Sequence, residues 1–111
     1  MKLFTLREAN EVIKELRPLL LPVVEAARRW ETVTPREAEE LERQIQWLIK
    51  AAAESGFIIR DFVHGVVDFP AVTKEGEFVY LCWKVDEPEV MYYHGPEGFR
   101  GRRKIDPELF D

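Results

Sequence analysis

The chain has 111 residues, 46% hydrophobic and 12% aromatic, which is the size and apolar content of one folded domain and excludes a disordered segment. Its formal net charge of −5 argues against general nucleic-acid affinity, a term that grows with the number of phosphates neutralised at once. One cysteine excludes an intramolecular disulfide, and no stretch reaches the roughly 18 apolar residues needed to span a bilayer, so a cytoplasmic protein without membrane contact is expected.

The charge is uneven. Residues 57–97 hold three basic and eight acidic side chains, whereas 98–104 hold four basic and none acidic, which keeps a local anion site open. One asparagine, seven prolines and 33% charged residues make a composition that heat-adapted proteins tend towards, and a thermophilic source is expected. A chain this short leaves much surface uncovered, so helices with more than one apolar stripe predict a homodimer.

Thr5-Leu6-Arg7-Glu8 reads as a capping box that starts a helix at Leu6. Ala9, Ile13, Leu16, Leu20, Val23, Ala27 and Trp30 then recur at spacings of four and three, a packing seam. Val12, Leu19 and Ala26 form a second column beside it. Pro18 and Pro22 lie off the seam and predict a bend, not a break. Thr34-Pro35-Arg36-Glu37 is a second start signal, and the short link makes the helices an antiparallel hairpin. Ala38, Leu41, Ile45, Leu48 and Ala52 continue the pattern to Gly56, a C-terminal cap.

After Gly56 the period falls to two. Phe57-Ile58-Ile59 and Phe62-Val63 read as a short strand or entry segment, followed by strands Val66–Val72, Phe78–Lys84 and Val90–His94. Lys74-Glu75-Gly76 and Asp86-Glu87-Pro88 are turns, which makes the last three strands an antiparallel meander. Pro70 cannot donate to a ladder and predicts an edge strand or a bulge. A turn closed by Lys84 opposite Glu89 pairs Trp83 with Val90, Cys82 with Met91, Leu81 with Tyr92, Tyr80 with Tyr93 and Val79 with His94. Val79, Leu81, Trp83, Val90 and Tyr92 then face the helices. Phe78, Tyr80, Cys82, Met91 and Tyr93 face away, and that face or the spare helical stripe is where a second subunit is expected.

Several short motifs follow one another along the chain: Phe4-Thr5-Leu6 with Glu8-Ala9-Asn10, Val67-Asp68-Phe69-Pro70-Ala71, Tyr80-Leu81-Cys82-Trp83, Tyr92 with His94, and Gly98-Phe99 with Gly101-Arg102. This string resembles a family of small prokaryotic proteins classed as domain of unknown function 2203. The resemblance implies a fold spanning nearly the whole chain and no established activity.

Three chemical readings remain. Cys82 and His94 supply the residue types of a thiol–imidazole pair, but the expected register puts them on opposite faces and leaves Cys82 a buried, unreactive residue. His64, His94 and Asp68 are suitable metal ligands without short ligand spacing, so no metal and no cofactor is expected. Asp68 in an apolar strand needs a partner, either an arginine in a salt bridge or, as a general base, a substrate. Gly98-Phe99-Arg100-Gly101-Arg102-Arg103 pairs mobile backbone with guanidinium donors. It can tie the tail to carboxylates, hold a small anion or stack a nucleic-acid strand, the last disfavoured by the acidic domain. Arg100 and Arg102, two apart, are expected to aim at one place, such as Asp68 or a glutamate of the second helix, with Arg103 and Lys104 solvated.

The expected fold is α+β in a single domain, 1–111: an N-terminal antiparallel helical hairpin (1–56) on a three- or four-stranded antiparallel meander (57–97) with an irregular tail (98–111). The expected function is a homo-oligomeric interaction or ligand-binding module without catalytic machinery, whose candidate ligand-binding residues are Asp68, Tyr80, His94, Phe99, Arg100 and Arg102. The alternative is an enzyme or sensor acting on a small anionic metabolite through His94 and the C-terminal arginines.

Overall fold

The computed structural model describes residues 1–110. In chain order its elements are helices α1 (Leu6–Arg28) and α2 (Pro35–Ser55) and strands β1 (Ile58–Asp61), β2 (Val66–Val72), β3 (Phe78–Lys84), β4 (Tyr92–His94) and β5 (Arg103–Lys104). Single 3₁₀ turns lie at Trp30–Thr32 and Phe99–Gly101. The fold is α+β, a helical hairpin followed by an antiparallel sheet with its five strands in sequence order. The fifth strand converts part of the predicted irregular tail; two residues carry no alternation from which to read it.

Both helix starts form as their sequences dictate. Thr5 Oγ1 accepts from the Glu8 N–H at 3.0 Å while Glu8 Oε1 accepts from the Thr5 N–H at 2.9 Å, and Thr34 Oγ1 accepts from the Glu37 N–H at 3.2 Å. Gly56 ends α2 at φ 92°, a left-handed conformation that strains any residue with a Cβ. Helix α1 runs unbroken through Pro18 and Pro22, both on its exposed side. Its seam is buried from Ala9 to Val23 and half-buried at Ala27, but Trp30, the predicted last member, is 60% exposed. The helix stops at Arg28, and the turn that follows carries Trp30 off the helical path.

The core lies between the hairpin and one face of the sheet. Val67, Phe69 and Ala71 of β2 with Val79, Leu81 and Trp83 of β3 are all buried, each worth about 1.5–3 kcal/mol if its side chain is as large as valine. The rings of Phe4 and Phe57 close on Phe69 at 5.2 and 5.4 Å, and the Arg17 guanidinium lies 5.2 Å from the Trp83 ring. Trp83 Nε1 donates to the Glu87 carbonyl at 2.9 Å, so this large side chain leaves no buried donor unmet.

Two expectations about the sheet are corrected. The strand with Pro70 is interior, flanked by β1 and β3, but β1 reaches only as far as Asp68. Beyond it the Pro70 carbonyl accepts from the Phe4 N–H at 2.7 Å, so no ladder bond is lost at the missing donor. The second correction is the β3–β4 register, which pairs Tyr80 with His94, Leu81 with Tyr93 and Cys82 with Tyr92, one residue from the expected pairing. The turn is longer than four residues. Val90 gives its N–H to Asn10 Oδ1 of α1 at 2.8 Å and Met91 gives its carbonyl to the Ile105 N–H at 2.9 Å, so both leave the β3 ladder. A slip of one exchanges faces. Tyr93 therefore joins Leu81 against the core, while Tyr92 and His94 join Cys82 and Tyr80 on the outer face.

Candidate functional site

The outer face of the sheet should be the polar half of an alternating pattern, yet at its centre it is buried. Asp68 and His94 are 2% and 3% exposed. Asp68 stands on β2 directly opposite Cys82 of β3, and Tyr80, two residues back along β3, is opposite His94 of β4. Alternation thus aims four side chains from three strands at one spot.

Asp68 Oδ2 accepts from Arg60 Nε at 3.0 Å and lies 3.0 Å from His94 Nε2. Arg60 reaches it because the β1–β2 pairing shifts between Ile59 and Asp61, an irregularity that puts one extra residue on β1. His94 Nδ1 is 2.9 Å from the Gly95 carbonyl, which can only accept, so Nδ1 carries a proton. The Nε2 contact then requires a second proton between imidazole and carboxylate. The Tyr80 ring lies against that of His94, with centroids 5.5 Å apart and planes inclined by 32°, and the Arg60 guanidinium is 5.2 Å from the Tyr80 ring. Asp68 Oδ1 is buried with no hydrogen-bond partner.

Cys82 completes the cluster: one donor atom each from Asp68, Cys82 and His94 lie within 4.8 Å of one another. Burial pushes the Cys82 thiol up to about 12, and the nearby Asp68 charge adds to the effect. That is the reverse of an activated nucleophile.

Arg102 occupies a neighbouring place on the same face. Its guanidinium donates to both carboxylate oxygens of Glu87, at 2.6 and 3.0 Å, and to the Cys82 carbonyl at 3.3 Å, sandwiched 4.2 Å from the Tyr92 ring and 4.8 Å from that of Phe99. Glu87 also accepts from the Lys84 N–H at 2.7 Å, so the fork pins the β3–β4 turn to the tail.

Of the sequence candidates, Asp68, Tyr80, His94 and Phe99 border one pocket of about 230 Å³, with Arg60 at its side and the Gly95–Gly98 loop across it. Gly98 holds this loop at φ 79°. Arg102 lies on the same face but is engaged by Glu87. Arg100 is exposed in the Phe99–Gly101 turn and forms no ion pair among the described residues, so the two arginines do not converge as expected. The 3₁₀ turn replaces the extended backbone on which residues two apart share a direction. Arg103 is exposed, 4.9 Å from the Tyr93 ring, and Lys104 is exposed beside it. The partner of Asp68 is an arginine, but Arg60 of β1 and not one of the tail. The metal reading that joined His64 to His94 and Asp68 is not assembled: His64 lies exposed on the β1–β2 turn, with Nδ1 2.9 Å from Asp61 Oδ2. Cys82 takes its place, since the one-residue slip brings Cys82 and His94 onto one face.

Sequence reasoning missed Arg60, Glu87 and the place of Cys82. A signal for Arg60 was present: an acid inside an apolar strand asks for a cation, and the strand before it holds a single basic residue.

The chain belongs to the family described as uncharacterized conserved protein DUF2203, whose model matches residues 2–105. It matches no curated protein and no solved structure. No helix among the described residues is long and apolar enough to cross a membrane.

Proposed function

Proceeding from membership of a family without an assigned activity, we propose that this chain is a binding module for a small anion, taken up in the pocket on the outer face of the sheet. The observation that carries the reading is Arg60. Only its Nε is engaged, by Asp68, while the terminal guanidinium nitrogens make no hydrogen bond among the described residues and stand beside the pocket. Asp68 orients the guanidinium, His94 adds its ring to the floor, and Tyr80 and Phe99 supply aromatic walls. A volume of about 230 Å³ is below the roughly 300–1,000 Å³ of drug-sized sites and suits a metabolite of a few heavy atoms. The Cys82 thiol, held near 12, favours binding over thiol catalysis.

Titration calorimetry with inorganic phosphate and a panel of small carboxylates tests this. Arg60→Ala should weaken the anion that binds by at least about tenfold, the equivalent of one charged hydrogen bond, whereas Arg100→Ala should change nothing. Equal affinities for Arg60→Ala and the parent chain would overturn the assignment.

We also infer a homodimer, and retain the cytoplasmic location and heat-adapted source that composition alone suggests. Between the two helices, Pro18, Leu19, Pro22 and Trp47 line an open groove of about 470 Å³, with Leu19 50% and Trp47 58% exposed. Glu40 and Arg43, 2.7 Å apart, stand at its rim. A second copy related by a two-fold axis presents both charges in reverse order against them and covers the apolar floor. Light scattering should give the mass of two chains, and Trp47→Glu should halve it; a monomeric mass for the parent chain at micromolar concentration would overturn the dimer.

A further inference from the structure

We propose that Asp68, Cys82 and His94 form a binding site for a zinc-type divalent cation. The inference goes beyond the anion pocket, with which it shares Asp68 and His94.

Four observations converge on it. The donor set is one carboxylate oxygen, one sulfur and one imidazole nitrogen, a mixture that suits zinc and its surrogates and suits calcium or magnesium poorly. The three donor atoms lie within 4.8 Å of one another on three neighbouring strands, at most about 1 Å wider than the ~3.3–3.8 Å separations that metal bonds of about 2.0–2.3 Å impose in a tetrahedron, a gap that side-chain rotation closes. The Asp68 carboxylate, 98% buried by its 2% exposure, keeps Oδ1 without a partner, an acceptor that a cation would satisfy. Finally, the outer contacts that hold metal ligands in place exist: the Gly95 carbonyl accepts from His94 Nδ1–H and so directs Nε2 into the cluster, and Arg60 Nε donates to Asp68 Oδ2.

The charges are consistent as well. With the thiolate, the carboxylate and the neutral imidazole bound, two negative charges meet the two positive charges of the ion, and both the thiol proton and the proton between His94 Nε2 and Asp68 Oδ2 pass to solvent. Three protein ligands leave one coordination position, the arrangement that keeps a metal open to water or to a ligand. Asp68 and His94 both border the pocket, which supplies the route. His94 Nε2 and Asp68 Oδ2, 3.0 Å apart, must separate by a few tenths of an ångström to admit the ion.

Cobalt(II) tests the site directly. Purified chain, stripped with chelator and titrated with cobalt alone in anion-poor buffer, should show tetrahedral d–d bands and a thiolate-to-cobalt charge-transfer band that saturate at one ion per chain. Because the chain has one cysteine, that band can arise only from Cys82. Equimolar zinc should abolish it. Cys82→Ser, a near-isosteric change, should remove the band and weaken zinc binding at least tenfold, and Arg60→Ala should weaken it by about 10–100-fold through loss of the outer contact. Zinc should also slow alkylation of Cys82 in the parent chain, a readout that needs no variant to fold. Absence of the charge-transfer band in folded protein, or unchanged zinc affinity in Cys82→Ser, would overturn the site as adventitious binding. The two proposals fail separately, since anion binding is measured in chelator and cobalt binding without the anion.

Discussion

The two faces of this sheet are built from the same strands and differ in everything that holds them. On the inner face Val67, Phe69, Ala71, Val79, Leu81 and Trp83 are buried by helices and held by apolar area. On the outer face Asp68, Tyr80, Cys82, Tyr92 and His94 are also largely buried, but on the side of the sheet away from the core that α1 and α2 cover. They are covered by one another and by Arg60, Arg102 and the Gly95–Gly101 loop. Apolar area is non-directional and tolerates small shifts, whereas a buried carboxylate needs donors at defined positions. The inner face therefore sets stability, and the outer face has the directional groups on which the proposed binding rests.

The sharpest break of that contrast is Trp83→Ala. It removes the largest fully buried side chain, its hydrogen bond to the Glu87 carbonyl and the ring beneath Arg17. The expected cost is about 3–5 kcal/mol in denaturant melts, because the cavity opens in the middle of the core. A loss below about 1 kcal/mol would mean that the inner face does not set stability.

Asp68→Ala should cost less, about 1–3 kcal/mol, although the residue is as deeply placed. The penalty comes from His94 Nε2, left buried without its acceptor; Arg60 is half exposed and turns to water. Anion binding and zinc binding should both disappear in this variant at a temperature where it remains folded. If instead it melts as low as Trp83→Ala and keeps its affinity for the anion, the outer cluster is a second core and the contrast fails.

How much of this was legible in the residues follows from which forces act where. Strands β2 and β3 have the bounds that their alternation predicts, Val66–Val72 and Phe78–Lys84, because β-branched and aromatic runs are read two by two. Helix starts were equally plain, since a threonine and a glutamate three apart suffice. The register of β4 was not legible. It depends on Glu87 folding back onto the Lys84 N–H and on Asn10, 80 residues earlier, capturing the Val90 N–H. Such side-chain bonds to backbone leave no periodic trace, and a slip of one residue decides whether Cys82 and His94 share a face. Arg60 was hidden in the same way, by an irregularity in a four-residue strand.

Within the tail, Arg102→Ala should cost about 1–3 kcal/mol, for it strands the Glu87 carboxylate, itself mostly buried, and removes a cation from between two rings. Arg100→Ala and Arg103→Ala should each stay within about 0.5 kcal/mol, as exposed substitutions do. Thermal melts of the three variants separate them. Equal melting temperatures would reduce the Arg102–Glu87 fork to a solvated pair and leave the outer face with one charged cluster in place of two.

The smallest expected effect comes from Asp61, which shapes the turn beside Arg60. Its Oδ1 accepts from the Val63 and His64 N–H groups at 2.7 and 3.0 Å, and its Oδ2 lies 2.9 Å from His64 Nδ1. The His64 side chain, followed by its backbone N–H, lowers the Asp61 pKa below the ordinary 3.8. A carboxyl depressed on folding stabilises the fold fully above the unfolded value and ceases to do so as pH falls from 3.8 through the lower folded one. The group is partly exposed, so screening keeps the effect small: Asp61→Asn should lose at most about 0.5 kcal/mol at neutral pH. That difference should vanish in melts performed well below pH 3.8, where the parent residue is itself protonated. Because Arg60 precedes it in the chain, loosening this turn should also weaken anion binding about twofold without touching the inner face. A stability difference that persists unchanged into acid would show that the Asp61 charge contributes nothing, and that the β1–β2 turn does not set where Arg60 points.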